Sequence, residues 1–123
     1  MMDTLVSVII PARDEEHYIG KFSLPSLVKQ TYTNFEVYVV CNACSDKTAD
    51  VARSFSKTIP RLQVIETKKG GVSYARNFGA SFAKGSILVF LDADIKMVAN
   101  TLEKIVKTQI EEIVYGKMEY NTL

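Results

Sequence analysis

Five short apolar runs rich in β-branched residues recur along the chain, separated by stretches long enough for helices. They span residues 5–10, 35–41, 62–65, 87–91 and 112–115. Their apolar residues are continuous and do not alternate with polar ones, which is typical of strands buried on both faces. Strands of this kind between helices predict a Rossmann-like open α/β sandwich, with a mostly parallel sheet flanked by helices.

The intervening stretches carry helical spacing of apolar residues over residues 16–29, 46–55, 72–83 and 99–109. Pro25 lacks an N–H and should kink or divide the first of these helices. Ser45 is a candidate cap for the second. We expect residues 1–123 to form one domain, because a chain of this length can bury a sizeable core without disulfides.

Charge and hydropathy exclude several classes of partner. The chain has 15 basic and 14 acidic residues, a formal net charge of +1, and no block of like charges. We therefore expect no nucleic-acid partner. The apolar runs are far shorter than the roughly 20 residues of a membrane helix, and the first residues lack the features of a signal peptide. A cytoplasmic protein is expected.

Polar residues follow each of the first four predicted strands. They lie at residues 11–16, 41–46, 68–71 and 92–94. In a parallel α/β sheet, ligands bind beyond the carboxyl ends of the strands. These four segments are therefore the candidate site.

Asp92 and Asp94 form a D-x-D triplet directly after the fourth predicted strand. Residues two apart on an extended chain point the same way, so both carboxylates can reach one cation. A small set of hard oxygen ligands suits Mg²⁺ or Mn²⁺, with phosphate oxygens completing the coordination. The motif is short, and a solvated strand end with two turn-forming acids is the alternative interpretation.

The loop Lys69-Gly70-Gly71 leads into the predicted helix that carries Arg76 and Asn77. Free amides at a helix N-terminus beside cations form an anion site, which would suit a pyrophosphate. An ordinary glycine turn with a surface arginine is the alternative. No G-x-G-x-x-G follows the first strand and no G-x-x-x-x-G-K-[ST] occurs, which argues against NAD and P-loop chemistry.

Taken in order, these segments resemble the inverting family-two glycosyltransferases of the GT-A fold. The similar stretches cover most of residues 5–116, and they lie at residues 6–16, 24–37, 45–49, 71–79 and 90–94. Each motif alone is weak, whereas their order is specific. The resemblance implies binding of a nucleoside diphosphate sugar for transfer to an acceptor hydroxyl.

The resemblance also implies individual roles around the nucleoside. Pro11, Arg13 and Glu15 would line the base and ribose pocket. Asn42 stands where the family usually has an acid that hydrogen-bonds the base. An amide can both donate and accept, so the nucleotide preference stays open.

Around the diphosphate, the resemblance implies that Arg76 lies near the phosphates and Asp92 near the ribose and the metal. Asp94 would be the direct ligand of Mg²⁺ or Mn²⁺. The metal would neutralise charge on the departing nucleoside diphosphate. Neither the sugar nor the acceptor, whether glycan, lipid or protein, follows from the sequence.

Family members continue into an acceptor-binding half that holds a general base. This chain stops at Leu123, and its late acids, Glu111, Glu112 and Glu119, lie in no recognisable base motif. We therefore expect donor binding to be retained and transfer to be weak or absent, unless an oligomer or a partner chain supplies that half. A lipid acceptor would put the protein at the inner membrane surface.

Two other functions fit parts of the sequence. Cys41-x-x-Cys44 at a strand end before a helix is the context of a thiol redox pair. Consecutive β-α-β units with acids after the first strand would also suit a phospho-receiver domain, which needs an aspartate after the third strand that is absent here. His17 is expected to be a surface or cap residue, and Tyr115 and Tyr120 are assigned no role.

Overall fold

The structure is a computed structural model that describes residues 3–108 and 112–115. The strands are β1 (Val6–Ala12), β2 (Phe35–Asn42), β3 (Leu62–Thr67), β4 (Ile87–Leu91) and β5 (Glu112–Tyr115). The helices are α1 (Ser23–Val28), α2 (Thr48–Arg53), α3 (Val72–Ala80) and α4 (Thr101–Thr108). The predicted α/β fold is confirmed. Within the described ranges, no helix has the length and apolar character needed to cross a membrane.

The five strands form one sheet in the order β3-β2-β1-β4-β5, and every neighbouring pair is parallel. All seven residues of the central strand β1 are buried. This burial on both faces is the reason that its sequence is apolar apart from Ser7, as expected for a parallel sheet covered by helices.

The two faces of the sheet carry different helices. Val6, Val8 and Ile10 of β1 share a core with apolar residues of α1, α2 and α4. Ile9 lies on the opposite face, in a smaller core with Ala75 of α3. The helix α3 sits very close to the sheet, since a Cβ at Gly79 would be 2.5 Å from Ile9 Cγ2.

The helices are shorter than the sequence indicated. Pro25 is the third residue of α1, where its missing N–H breaks no helical bond, and residues 16–22 form turns. The predicted segment is therefore divided. Ser45 does not cap α2, whose N-cap position is Lys47; the Ser45 hydroxyl instead donates to Asp14 Oδ1. The helix α3 ends at Ala80, and α4 begins at Thr101.

A buried carboxylate ties the amino ends of β1 and β2 together. Glu36 accepts hydrogen bonds from the Ser7 hydroxyl at 2.6 Å, the Lys84 amide at 2.7 Å and the Tyr38 hydroxyl at 2.8 Å. Burial alone would raise the pKa of Glu36, but the bonds from Ser7, Lys84 and Tyr38 outweigh it and lower the pKa. Burial and the bond to Glu36 raise the pKa of Tyr38 to about 12.

We predict that Glu36→Gln destabilises the fold by about 2 kcal/mol at neutral pH, since hydrogen bonds to a buried charged group are lost. The folded-state pKa of Glu36 lies below its ordinary value of 4.5. Its contribution is therefore complete above that value and disappears as the pH falls through the folded-state pKa. Urea unfolding of both proteins across the acid range should show a deficit that shrinks on acidification.

Glu66→Gln is the matched control, because Glu66 forms an exposed ion pair with Arg53. Such pairs contribute about 1 kcal/mol or less. A Glu36→Gln deficit that stayed constant down to low pH would contradict a stabilising ionised carboxylate.

Candidate nucleotide-binding crevice

A crevice of about 400 Å³ opens at the carboxyl edge of the sheet, between the ends of β1 and β4. The chain leaves β1 toward β2 on one side, whereas β4 lies on the other side, which makes this gap the topological switch point. Ligands of open α/β sheets bind at such points. The lining includes Pro11, Arg13, Glu15, Asn42, Arg76, Asp92 and Asp94.

Pro11 marks the point at which the sheet splits. Pairing between β1 and β2 continues to Ala12 opposite Cys41, whereas pairing between β1 and β4 stops at Ile9 opposite Phe90. A proline has no N–H with which to extend a ladder. The crevice occupies the space beyond that last pair, and Asp92 begins its far wall.

Asp92 and Asp94 are both partly buried in the crevice lining. Arg76 Nη2, from α3, lies 3.4 Å from Asp92 Oδ1. Two hard carboxylates beside one guanidinium form a donor set that fits Mg²⁺ or Mn²⁺ together with an anionic ligand. Asp92 thus pairs with Arg76, and Asp94 remains the candidate direct metal ligand that the family resemblance implies.

Asn42, the last residue of β2, belongs to the crevice lining and is 3% exposed. Its Nδ2 donates to the Gly71 carbonyl at 2.7 Å. A carbonyl can only accept, so this bond fixes the orientation of the amide. Among the described residues, the buried Asn42 Oδ1 and the buried Arg76 Nε have no hydrogen-bond partner. The crevice thus holds one acceptor and one donor suited to a polar ligand.

Gly71 is the residue of the predicted Lys69-Gly70-Gly71 loop that belongs to this lining. It precedes α3 with φ of 97°, a conformation that side chains other than glycine rarely adopt. Lys69 and Gly70 lie beside the crevice and not in its described lining. The Lys69 ammonium lies 5.3 Å from the centre of the Tyr74 ring.

Other candidate residues lie away from the crevice or outside the described residues. Asn77 and His17 are exposed. Glu111, Glu119 and Tyr120 fall outside the described residues, and only the backbone strand is described at Glu112 and Tyr115.

The two cysteines are free thiols at the end of β2, with Cys41 buried and Cys44 half-buried. Burial, followed by the neighbouring Cys44, raises the pKa of Cys41 to about 12. Redox-active C-x-x-C pairs depend on a thiol of lowered pKa. The receiver alternative also fails, because such domains have the strand order 2-1-3-4-5, whereas β1 lies between β2 and β4 here.

We predict that iodoacetamide at neutral pH alkylates Cys44 alone in the folded chain and both cysteines in urea, because a buried protonated thiol is a poor nucleophile. Peptide mass mapping after a timed reaction measures both sites. Rapid modification of Cys41 in the native state would revive the redox interpretation.

The fold and the crevice define the class, an α/β domain of the GT-A kind with a D-x-D site at its switch point. The chain belongs to the glycosyl transferase family 2, whose family model matches residues 7–120. It is 36% identical over 122 residues to the Escherichia coli enzyme WfgD, a UDP-Glc:alpha-D-GlcNAc-diphosphoundecaprenol beta-1,3-glucosyltransferase. That alignment covers 97% of this chain and 47% of WfgD.

Two solved structures agree with this assignment. The Staphylococcus aureus protein TarS, residues 1–349 with UDP-GlcNAc, superposes with a TM-score of 0.77 at 31% identity, covering 83% of this chain and 30% of that one. The Pyrobaculum calidifontis mannosyltransferase PcManGT, with GDP-Man and Mn²⁺, gives 0.75 at 32% identity, covering 83% and 31%. The chain spans about half or less of the proteins it matches.

Proposed function

We propose that this chain binds a nucleoside diphosphate sugar, with Mg²⁺ or Mn²⁺, in the crevice between β1 and β4. It would form the donor-binding half of a hexosyltransferase that inverts the anomeric centre. The observation that carries the proposal is the convergence of Asp92, Asp94 and Arg76 with the buried Asn42 acceptor in one crevice. Two structural neighbours in complex with nucleotide sugars support it.

In this proposal, Asp94 holds the metal and Asp92 contacts the ribose and the metal. The Arg76 guanidinium faces the diphosphate, and Pro11, Arg13 and Glu15 line the nucleoside pocket, with Lys69 and Gly70 near its phosphate side. A bound divalent cation would stabilise the negative charge of the leaving nucleoside diphosphate. The fixed positive charge of Arg76 would act in the same direction.

Asn42 would recognise the base as an acceptor. Its amide nitrogen donates to the Gly71 carbonyl, and its buried oxygen, on a residue of the crevice lining, has no partner among the described residues. A base with an N–H on its pairing edge, such as uracil or guanine, would satisfy that oxygen. A carboxylate at this position would put an oxygen against the Gly71 carbonyl, which explains why an amide suits this chain.

The acceptor hydroxyl and its general base are proposed to come from further protein, either the same polypeptide or a partner. The acceptor in the name of WfgD is a sugar linked through a diphosphate to undecaprenol, which is a lipid. An acceptor of that class would bring the domain to a membrane surface.

We predict that calorimetric titration with UDP and GDP sugars shows binding only when Mg²⁺ or Mn²⁺ is present, and that Asp94→Ala abolishes it. The reason is that the carboxylate anchors the metal that bridges protein and diphosphate. Asp50→Ala is the matched control, because Asp50 is an exposed acid on α2 whose ion pair is with Arg53. Metal-independent binding, or binding that survives Asp94→Ala, would refute the assigned metal site.

For a chain that prefers UDP, we predict that methylation of uracil N3 weakens binding about tenfold, since the buried Asn42 oxygen loses its donor. The 5-methyl analogue, which keeps the N3–H, is the control ligand. If the chain prefers GDP, the analogue methylated at guanine N1 takes the place of the N3-methyl uracil analogue. Equal affinities for the N3-methyl and 5-methyl analogues would exclude this contact.

A further inference from the structure

Two loops at the carboxyl edge are joined by hydrogen bonds that the proposed donor site does not use. The first loop follows β1 and contains residues 13–16, and the second follows β2 and contains residues 43–47 together with Thr48, the first residue of α2. We call their mutual hydrogen bonds the clasp, formed by the side chains of Asp14, Glu16, Asp46 and Thr48.

The clasp connects the loops in both directions. From the first loop, Asp14 Oδ1 accepts from the Ser45 amide at 2.7 Å and the Asp46 amide at 3.3 Å. Glu16 Oε1 accepts from the Lys47 amide at 3.0 Å. These bonds join residues that are about 30 positions apart in the sequence, so each loop is tied to the other.

Two side chains of the second loop also accept hydrogen bonds from backbone amides of the first loop. Thr48 Oγ1 accepts from the Glu15 amide at 2.8 Å, and Asp46 Oδ2 accepts from the Glu16 amide at 3.2 Å. The other Asp46 oxygen accepts from the Thr48 amide and hydroxyl. Thr48 is fully buried, so its hydroxyl is held in one position.

Successive side chains of the first loop face alternately the crevice and the second loop. Arg13 and Glu15 line the crevice, whereas Asp14 and Glu16 face the second loop. Asp14 adopts φ of 53°, a left-handed conformation that suits this change of direction. The backbone bonds of Glu15 and Glu16 therefore fix where the crevice side chains start.

The clasp also accounts for a group of potential metal ligands. Oxygen or sulfur atoms of Asp14, Cys44 and Asp46 lie within 4.8 Å of one another. Both carboxylates accept bonds from backbone amides, and the Cys44 thiol donates to the Ala12 carbonyl at 3.4 Å. These groups are thus already engaged in holding the loops.

We propose that Thr48 and Asp46 are positioning residues that set Arg13 and Glu15 against the nucleoside part of the donor. This inference rests on the proposed function. The proposed site then has two parts. The residues proposed to bind the diphosphate and the metal lie on α3 and after β4, and they take no part in the clasp.

The test compares two ligands of the 123-residue chain in the presence of Mn²⁺, the preferred nucleoside diphosphate and inorganic pyrophosphate. Thr48→Val keeps the size of the side chain and removes the acceptor of the Glu15 amide. We expect it to weaken nucleoside diphosphate binding about tenfold and pyrophosphate binding less than about twofold. Thr48→Ser restores the hydroxyl and should restore the affinity.

Asp46→Asn provides a second variant, and Asp50→Asn is its matched control on the exposed side of α2. A loss of equal size for both ligands would reduce the clasp to general stability, and an unchanged nucleotide affinity in both clasp variants would overturn its positioning role. If the unsubstituted chain binds neither ligand, the proposed function itself fails, and this inference fails with it.

Discussion

The parallel pairing of β1 between β2 and β4 is the constraint on which the rest of the structure depends. Because all seven residues of β1 are buried, both of its faces require helices and both of its edges require strands. Parallel strands end at the same edge, so their polar tips converge there. The site is therefore a consequence of how the core is buried.

The crevice arises where that pairing stops. Beyond Ile9 and Phe90, β1 and β4 no longer pair, and Pro11 has no N–H with which to continue. The resulting gap is bordered by carboxylates on the β4 side and by Asn42 on the β2 side, with Arg76 approaching from α3. The close fit of Gly79 on Ile9 keeps α3, and with it Arg76, near the gap.

The strands could be predicted because uninterrupted apolar runs have few alternatives to a buried parallel sheet. The start of α2 could not, since it depends on a partner distant in sequence: Ser45 turns away from α2 to bind Asp14. Similarly, the residue types indicated Asp92 and Arg76 as candidate site residues, and the family resemblance indicated Asn42. The orientation of the Asn42 amide toward Gly71 and the pairing of Arg76 with Asp92 required the fold.

The proposed metal-dependent nucleotide site at the β1–β4 gap can be tested directly by NMR. Mn²⁺ is added to the chain with a nucleoside diphosphate, and the paramagnetic broadening of each amide signal is measured. A metal ion held at this gap should broaden the amide signals around Asp92–Asp94, at the end of β1 and in the first turn of α3. Broadening centred on Asp14, Cys44 and Asp46, or no site-specific broadening at all, would contradict it.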